Sequence, residues 1–177
     1  MRMKSAIREG TAICAALLCL SAAAQTPQLK EYSYAADGFA VSFPNMPLVQ
    51  TKTVPTDAGS VELHDYSVQI DGASLIVTVS NYGAQITGKD GNAELQGAKN
   101  GALKNADAKL KSEKLITLAG NRGLEFEAEG NATHFTVRMY MVGTALYQQL
   151  VAAPVEKPYE ATSGFLDSFK LIPKPGS

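Results

Sequence analysis

Carboxylates and an imidazole lie close together in the C-terminal half of this 177-residue chain. If the chain turns back at Gly130-Asn131, a two-residue loop places Glu127 directly opposite His134 on the neighbouring strand. Glu125 then lies opposite Thr136, two pairs further from the turn and on the same face. A carboxylate beside an imidazole can move protons to and from a substrate. Glu127 and His134 are therefore candidates for an acid–base hydrolase.

The same stretch also has an interpretation as a protein-binding face. Tyr140 and Tyr147 are predicted to pair across the next turn, with Arg138 and Gln149 beside them. Tyrosine and arginine are enriched at protein interfaces. The complete candidate face for partner binding is Glu125, Glu127, His134, Arg138, Tyr140, Tyr147 and Gln149. Two alternatives stay open: cross-strand charges are also common on solvated sheets, and a helix that covers the tyrosines would hide them.

The sequence has no other catalytic, metal or cofactor signature. Its two histidines, His64 and His134, are far apart and show no zinc-ligand spacing. It contains neither a G-x-S-x-G elbow nor a glycine-rich phosphate loop followed by Lys-Ser/Thr. We therefore predict no catalytic residue, no metal and no cofactor, and expect a protein that is not an enzyme.

The elements that must position these side chains are three antiparallel strands within residues 122–153. Apolar and polar residues alternate strictly along the middle strand, and period two is typical of a half-buried strand. One side of that strand carries Phe135, Val137, Met139 and Met141, and the other carries His134, Thr136, Arg138 and Tyr140.

Turn chemistry then predicts the register of the three strands. The first turn places Phe126 opposite Phe135, and a second turn at Gly143-Thr144 places Val137 opposite Leu150. All apolar pairs fall on one face, and a slip by one residue would scatter them.

The N-terminal half of the chain predicts further strands. Alternation on either side of Asp37-Gly38 indicates a first hairpin, and a strand follows at Leu48–Val54. The apolar residues of segment 60–70 change parity between Leu63 and Tyr66, which predicts a β-bulge at His64-Asp65. Bulges often lie beside functional sites, and sheet curvature is the alternative explanation. Residues 73–81 predict a central strand.

Two helices are predicted. Residues 89–106 have helical spacing, with Asp90 or Asn92 as the cap. Gly97 and Gly101 lie on the helix face opposite its apolar residues, where they mark either the close approach of a partner or solvated positions. The first apolar stripe is Leu95, Ala98, Ala102, Leu103 and Ala106. The stripe of a closing helix is Tyr159, Thr162, Phe165, Leu166 and Phe169. Extended structure is expected at residues 109–118 and 169–172.

The first 24 residues are predicted to be a signal peptide. Three basic residues precede an apolar run from Thr11 to Leu20, and Ala22-Ala23-Ala24 supplies a cleavage site after Ala24. Both cysteines, Cys14 and Cys19, lie in this segment, so residues 25–177 would form one domain without a disulfide. Leu17-Leu18 is a poor match to a lipidation site. We expect a periplasmic or secreted protein.

The charge balance excludes some classes of partner. The sequence has 16 Lys+Arg and 17 Asp+Glu, and removal of residues 1–24 takes away three basic residues and one acidic residue, which leaves 13 against 16. Neither a basic stripe nor a second long apolar segment is present. Nucleic acid, anionic membrane surfaces and a transmembrane segment in the mature chain are therefore not expected.

Three sequence segments carry a family resemblance: Asp37–Pro44 (DGFAVSFP), Arg138–Gln148 (RMYMVGTALYQ) and Gly164–Leu171 (GFLDSFKL). They resemble the bacterial PsbP-like exported domains. These domains share a fold with the photosystem II extrinsic protein PsbP and with the DcrB-like periplasmic proteins. The resemblance implies an α+β fold in which helices flank an antiparallel sheet, as an α/β/α sandwich. It also implies a non-catalytic accessory role and brings no active-site residue.

We therefore expect a non-catalytic exported accessory domain that acts by binding another envelope protein. One alternative is a small-ligand carrier, which requires an apolar pocket between the sheet and the helices. The other alternative is the acid–base hydrolase that uses Glu127 and His134.

Overall fold

The computed structural model describes residues 27–56, 59–83 and 91–176. The predicted signal peptide and the capping position Asp90 lie outside these ranges. The strands are β1 (Lys30–Tyr34), β2 (Phe39–Phe43), β3 (Leu48–Thr56), β4 (Gly59–Ile70), β5 (Ala73–Asn81), β6 (Lys109–Leu118), β7 (Asn121–Gly130), β8 (Thr133–Val142), β9 (Ala145–Pro154) and β10 (Lys170–Leu171). The helices are α1 (Gly91–Asn105) and α2 (Thr162–Asp167). None of the helices in the described ranges combines the length and apolar character needed to cross a membrane.

The strands form two antiparallel sheets. The large sheet has seven strands in the order β3-β4-β5-β9-β8-β7-β6, and the small sheet has three in the order β1-β2-β10. The predicted meander is thus confirmed as β7, β8 and β9, which lie side by side. The predicted first hairpin is also confirmed, as β1 and β2.

Each face of the large sheet supports its own apolar layer. On one face, α1 places Leu95 over a cluster contributed by β7, β8 and β9. On the other face, the small sheet and α2 pack over β4, β5 and β9, with Phe39 and Phe165 fully buried. The two layers lie over different halves of the sheet. The charged side of β7 and β8 therefore stays outside the second layer.

The α/β/α detail of the expectation is not confirmed. The structure has a helix on one side of the large sheet, but a three-stranded sheet with a six-residue helix on the other. Helix α2 is short because strand β10 begins three residues after it, at Lys170, and pairs with β2. The coarser expectation, an antiparallel sheet with flanking helices, is confirmed.

The predicted register is correct for the second hairpin and wrong for the first. Val137 pairs with Leu150, as expected, whereas Phe126 pairs with Val137 instead of Phe135. The first turn is Asn131-Ala132, and both residues have positive φ, 52° and 60°, as a type I′ turn requires. Because the register moves by two residues, every side chain stays on its predicted face.

The predicted bulge at His64-Asp65 is wrong. Strand β4 pairs without a register shift from Glu62 to Ile70 with β5, and from Gly59 to Ser67 with β3. Val61 and Tyr66 therefore lie on opposite faces of a regular strand, and both are buried. Because other elements pack on both faces of the large sheet, apolar side chains on either face of a strand can be buried. His64 consequently shares a face with Tyr66 and the small sheet.

Candidate functional site

The seven residues of the predicted binding face share one face of the large sheet, but three of them are not accessible. Tyr140, Tyr147 and Gln149 are only 5%, 2% and 0% exposed. The small sheet and α2 cover them, so the expectation of an exposed tyrosine pair is corrected. The alternative that these tyrosines are covered is the one that the structure supports. The pairing of Tyr140 with Tyr147 is itself confirmed.

Aromatic packing and a hydrogen bond explain this burial. Phe169 stacks on Tyr140 with ring centroids 6.1 Å apart, and it also contacts Tyr147 edge-on. Gln149 donates from Nε2 to the backbone oxygen of Leu166 at the end of α2, over 3.1 Å. These side chains belong to the contact between the layers, where polar atoms need partners inside the protein.

The accessible part of the predicted face, together with Lys114 of β6 and Asp167 of α2, forms a charged surface with an ion-pair network at its centre. The network links four elements, β6, β7, β8 and α2. We call this surface the charged patch: Lys114, Glu125, Glu127, His134, Arg138 and Asp167. Arg138 donates from Nε to Glu125 Oε2 over 2.6 Å and from a terminal nitrogen to Asp167 Oδ1 over 2.7 Å. Lys114 on β6 binds the second oxygen of Glu125 over 2.7 Å. The side chains of this network are therefore held in place before any partner arrives.

The pKa values of Glu125 and Arg138 are set by this pairing. Partial burial works to raise the pKa of Glu125, but hydrogen bonds from Lys114 and Arg138 outweigh it, so the pKa is lowered from its ordinary value. Burial alone would lower the pKa of Arg138, but Asp167 and Glu125 outweigh it and raise that pKa. Both groups are therefore charged at neutral pH.

The predicted pair of Glu127 and His134 is wrong. Glu127 lies opposite Thr136, and His134 lies opposite Glu129 because the first turn is one residue later than predicted. His134 Nδ1 is 3.5 Å from Glu129 Oε1. Among the described residues, Glu127 takes part in no ion pair and accepts only a hydrogen bond of 3.3 Å from Ser112 Oγ. The proposed acid–base pair is thus not assembled.

A second cluster was missed by the sequence reasoning. Asp37, in the turn between β1 and β2, is 8% exposed, and its carboxylate oxygens lie 2.7 and 2.9 Å from His64 Nδ1. The hydroxyl of Tyr66 also donates to this carboxylate, and Tyr147 donates to the Asp37 backbone oxygen over 2.6 Å. Nε2 of His64 faces Glu62 Oε1 at 3.0 Å. This cluster joins the small sheet to the large one.

The pKa values in this cluster are perturbed by its contacts. The hydrogen bond to Asp37 raises the pKa of His64 and outweighs the opposing effect of partial burial, and Glu62 adds to the rise. Burial, followed by the hydrogen bond to Asp37, raises the pKa of Tyr66. One feature of the sequence points to this cluster. The apolar residues of β4 change from odd to even positions between Leu63 and Tyr66, so the polar His64 shares a face with the buried Tyr66.

The space between α1 and the sheet, where the ligand-carrier alternative requires a pocket, is small. The apolar gap between α1 and the sheet, beside Leu103 and Phe135, has a volume of about 20 Å³. Ligand pockets usually measure roughly 300–1,000 Å³. Two larger spaces, about 200 Å³ beside Tyr159 and about 360 Å³ beside Arg122, are open clefts at the surface. In the described ranges no three His, Cys, Asp or Glu side chains are grouped to hold a metal.

Taken together, the sheet order and the layers define an antiparallel-sheet domain with the PsbP-like fold. The solution structure of cyanobacterial PsbP (CyanoP) from Synechocystis sp. PCC 6803 matches with a TM-score of 0.55 and 14% sequence identity, over 84% of this chain and 95% of that one. The crystal structure of PA94, a protein of unknown function from Pseudomonas aeruginosa, gives a TM-score of 0.42 at 14% identity, over 71% and 98% of the two chains. No family profile and no curated protein matches the chain. At this identity the likeness establishes the fold alone.

Proposed function

We propose that this protein is a non-catalytic, exported accessory domain that binds another envelope protein through the charged patch. The observation that carries the proposal is the ion-pair network of Lys114, Glu125, Arg138 and Asp167, which lies beside the covered part of the sheet. Charged groups that are already held in ion pairs lose little conformational entropy when a partner docks. The PsbP-like fold is consistent with an accessory role.

Glu127 is the residue of the patch that is best placed to recognise a partner. It is half-buried and has no cationic neighbour in an ion pair among the described residues. Glu125 and Asp167, by contrast, are already paired with Arg138. A basic side chain from the partner would complete the network at Glu127 and set the register of docking.

Export is the second part of the proposal, and it is supported by the sequence of residues 1–24. The full chain, expressed in a Gram-negative host, should yield a mature protein that begins at Gln25 in the periplasmic fraction. Intact mass spectrometry of that fraction is the measurement. An uncleaved chain that starts at Met1 and stays with the cytoplasm would contradict export while leaving partner binding untouched.

Affinity capture with charge-reversal variants tests the binding role. The mature protein, with Glu127→Lys and Glu156→Lys as separate variants, is used to capture proteins from its own cell envelope. Glu156 is an exposed residue in the loop after β9 and is not part of the charged patch, so its variant makes the same charge change at another position. We expect a protein that wild type and Glu156→Lys retain and Glu127→Lys loses.

The captured protein should then be purified and titrated against all three forms. Loss of one ion pair at an interface is expected to weaken binding by about tenfold or more. Equal binding by Glu127→Lys and Glu156→Lys would exclude the charged patch as the docking site. Turnover of a substrate by the mature protein would contradict the non-catalytic role.

A further inference from the structure

The contacts of the His64 ring require two N–H donors, one more than a neutral imidazole has. Both ring nitrogens face carboxylate oxygens, Nδ1 toward Asp37 and Nε2 toward Glu62. A neutral imidazole has a single N–H donor, so one of these contacts would place a lone pair against a carboxylate. Only the imidazolium, with two N–H donors, satisfies both contacts. The geometry therefore specifies the protonated form of His64.

This proton matters because Asp37 holds the two layers together. Asp37 belongs to the turn of the small sheet, whereas His64, Tyr66 and Tyr147, which all donate to it, belong to the large sheet. The carboxylate is nearly buried, so its charge needs a compensating partner. A hydrogen bond from a charged donor is roughly twice as strong as one from a neutral donor.

Among the described residues, no cation other than His64 forms an ion pair with the carboxylate of Asp37. Strands β3 and β5 place the uncharged Thr51 and Val79 directly opposite His64. The ion pair of Lys52 with Asp65 lies on the opposite face of the sheet. The titratable or charged groups of the surrounding elements are Asp37 and Tyr34 from the small sheet, Glu62 and Tyr66 from β4, Tyr147 from β9, and Lys174, whose side chain packs across Gly38.

We propose that His64 is a proton-operated clamp, which holds the β1–β2 turn tightly to the large sheet when protonated and weakly when neutral. The neutral ring keeps its Nδ1–H toward the buried Asp37 and gives up the contact with the exposed Glu62. The turn then keeps a neutral hydrogen bond but loses its charged partner. Acidification strengthens the contact between the layers, and alkalinisation loosens it.

Two amides report on the local stability of the turn that the clamp supports. Gly38 N–H donates to Tyr34, and Ile172 N–H donates to the Gly38 backbone oxygen, each over 2.9 Å. Both bonds lie within the small sheet and its turn, so they open when the turn loses its support from the large sheet and unfolds locally. The amide of Val155 donates to Ala132 at the tip of the β7–β8 hairpin, over 3.0 Å, and serves as the reference.

The first measurement is the titration of His64 by NMR in the mature chain. The signal of His64 is distinguished from that of His134 by its loss in His64→Gln. Because the Asp37 contact raises the pKa of His64, the midpoint should lie above that of an ordinary histidine and fall in Asp37→Asn. Glu62→Gln, an exposed change that spares the buried cluster, should lower it as well and remains informative if Asp37→Asn fails to fold. An unchanged midpoint in the folded carboxylate variants would overturn the proposal.

The second measurement is hydrogen exchange at Gly38 and Ile172 across the same pH range. Protection factors remove the intrinsic pH dependence of exchange. They should fall as pH rises through the His64 midpoint, by about tenfold for each pH unit that separates the midpoints of the closed and open turn. Val155 should show no such step, and His64→Gln should abolish it. Protection of Gly38 that is constant across the titration, or that changes equally in His64→Gln, would refute the clamp.

Discussion

Replacement of Gly123 by alanine should destabilise the protein, although glycine within a strand is ordinarily less favourable than alanine. Gly123 is buried on β7, directly opposite Tyr140 on β8. A Cβ atom at this position would lie 2.5 Å from Cδ1 of Tyr140 and 2.6 Å from the backbone oxygen of Met139. The ring of Tyr140 therefore packs across the space that a side chain at residue 123 would fill.

The expected magnitude follows from two opposing effects. The tyrosine ring could rotate only by leaving its stack with Phe169, and the oxygen of Met139 belongs to the sheet backbone. Overpacking of this kind costs about 1–3 kcal/mol, and removal of a glycine from the unfolded chain recovers about 0.5–1 kcal/mol. The net loss should be about 1–2 kcal/mol, which lowers Tm by roughly 2–8 °C in a chain of this size.

Gly97→Ala is the matched control for this prediction. Gly97 is an exposed position of α1, and a Cβ there would meet nothing within 4 Å. The same chemical change should stabilise the protein by about 1 kcal/mol. Urea unfolding followed by circular dichroism measures both variants. If Gly123→Ala is as stable as wild type or more stable, Tyr140 does not occupy the position described, and the argument for its burial fails.

Three further predictions concern the layers and their ion pairs. In Glu125→Gln the stability difference from wild type should be present above pH 4.5, the ordinary pKa of a glutamate, and shrink as pH falls through the lowered pKa of Glu125; urea unfolding at several pH values measures it. A difference that grew on acidification would contradict the pairing with Arg138. Phe165→Ala should cost about 3–5 kcal/mol, because the ring is fully buried against the small sheet, and a loss below 1 kcal/mol in the same assay would argue against that packing. Lys99→Met should change stability by less than about 1 kcal/mol, because an apolar side chain replaces a buried charge while the more exposed Glu113 is solvated by water. A large loss in the same assay would show that the pair is stabilising.

Local patterns were sufficient for much of the fold. Strict alternation predicted β8 and the face that each of its residues takes, and Gly143-Thr144 predicted the second hairpin with its correct register. Helical spacing predicted α1 with Leu95 buried. Each of these features depends on neighbours within a few residues, so the sequence already contains the interactions that produce it.

Errors arose where two local solutions were equally good. The first hairpin could close at Gly130-Asn131 or at Asn131-Ala132, and both closures keep the apolar residues on one face. The backbone selects the second, with Gly130 lying so close to the oxygen of Asp107 that a Cβ would be 2.5 Å away. That difference of one residue separates Glu127 from His134 and removes the acid–base hypothesis with it.

The alternation of side chains, the helix stripe and the turn residues were thus determined by the sequence itself, because they depend on contacts that are short along the chain. The tertiary structure alone decided which part of a polar face reaches solvent. Tyr140 and Tyr147 are buried since the small sheet and Phe169 pack over them, and Asp37 meets His64 across 27 positions of sequence. No local pattern specifies which layer will cover a given half of a sheet, because that choice minimises the exposed apolar area of the whole domain.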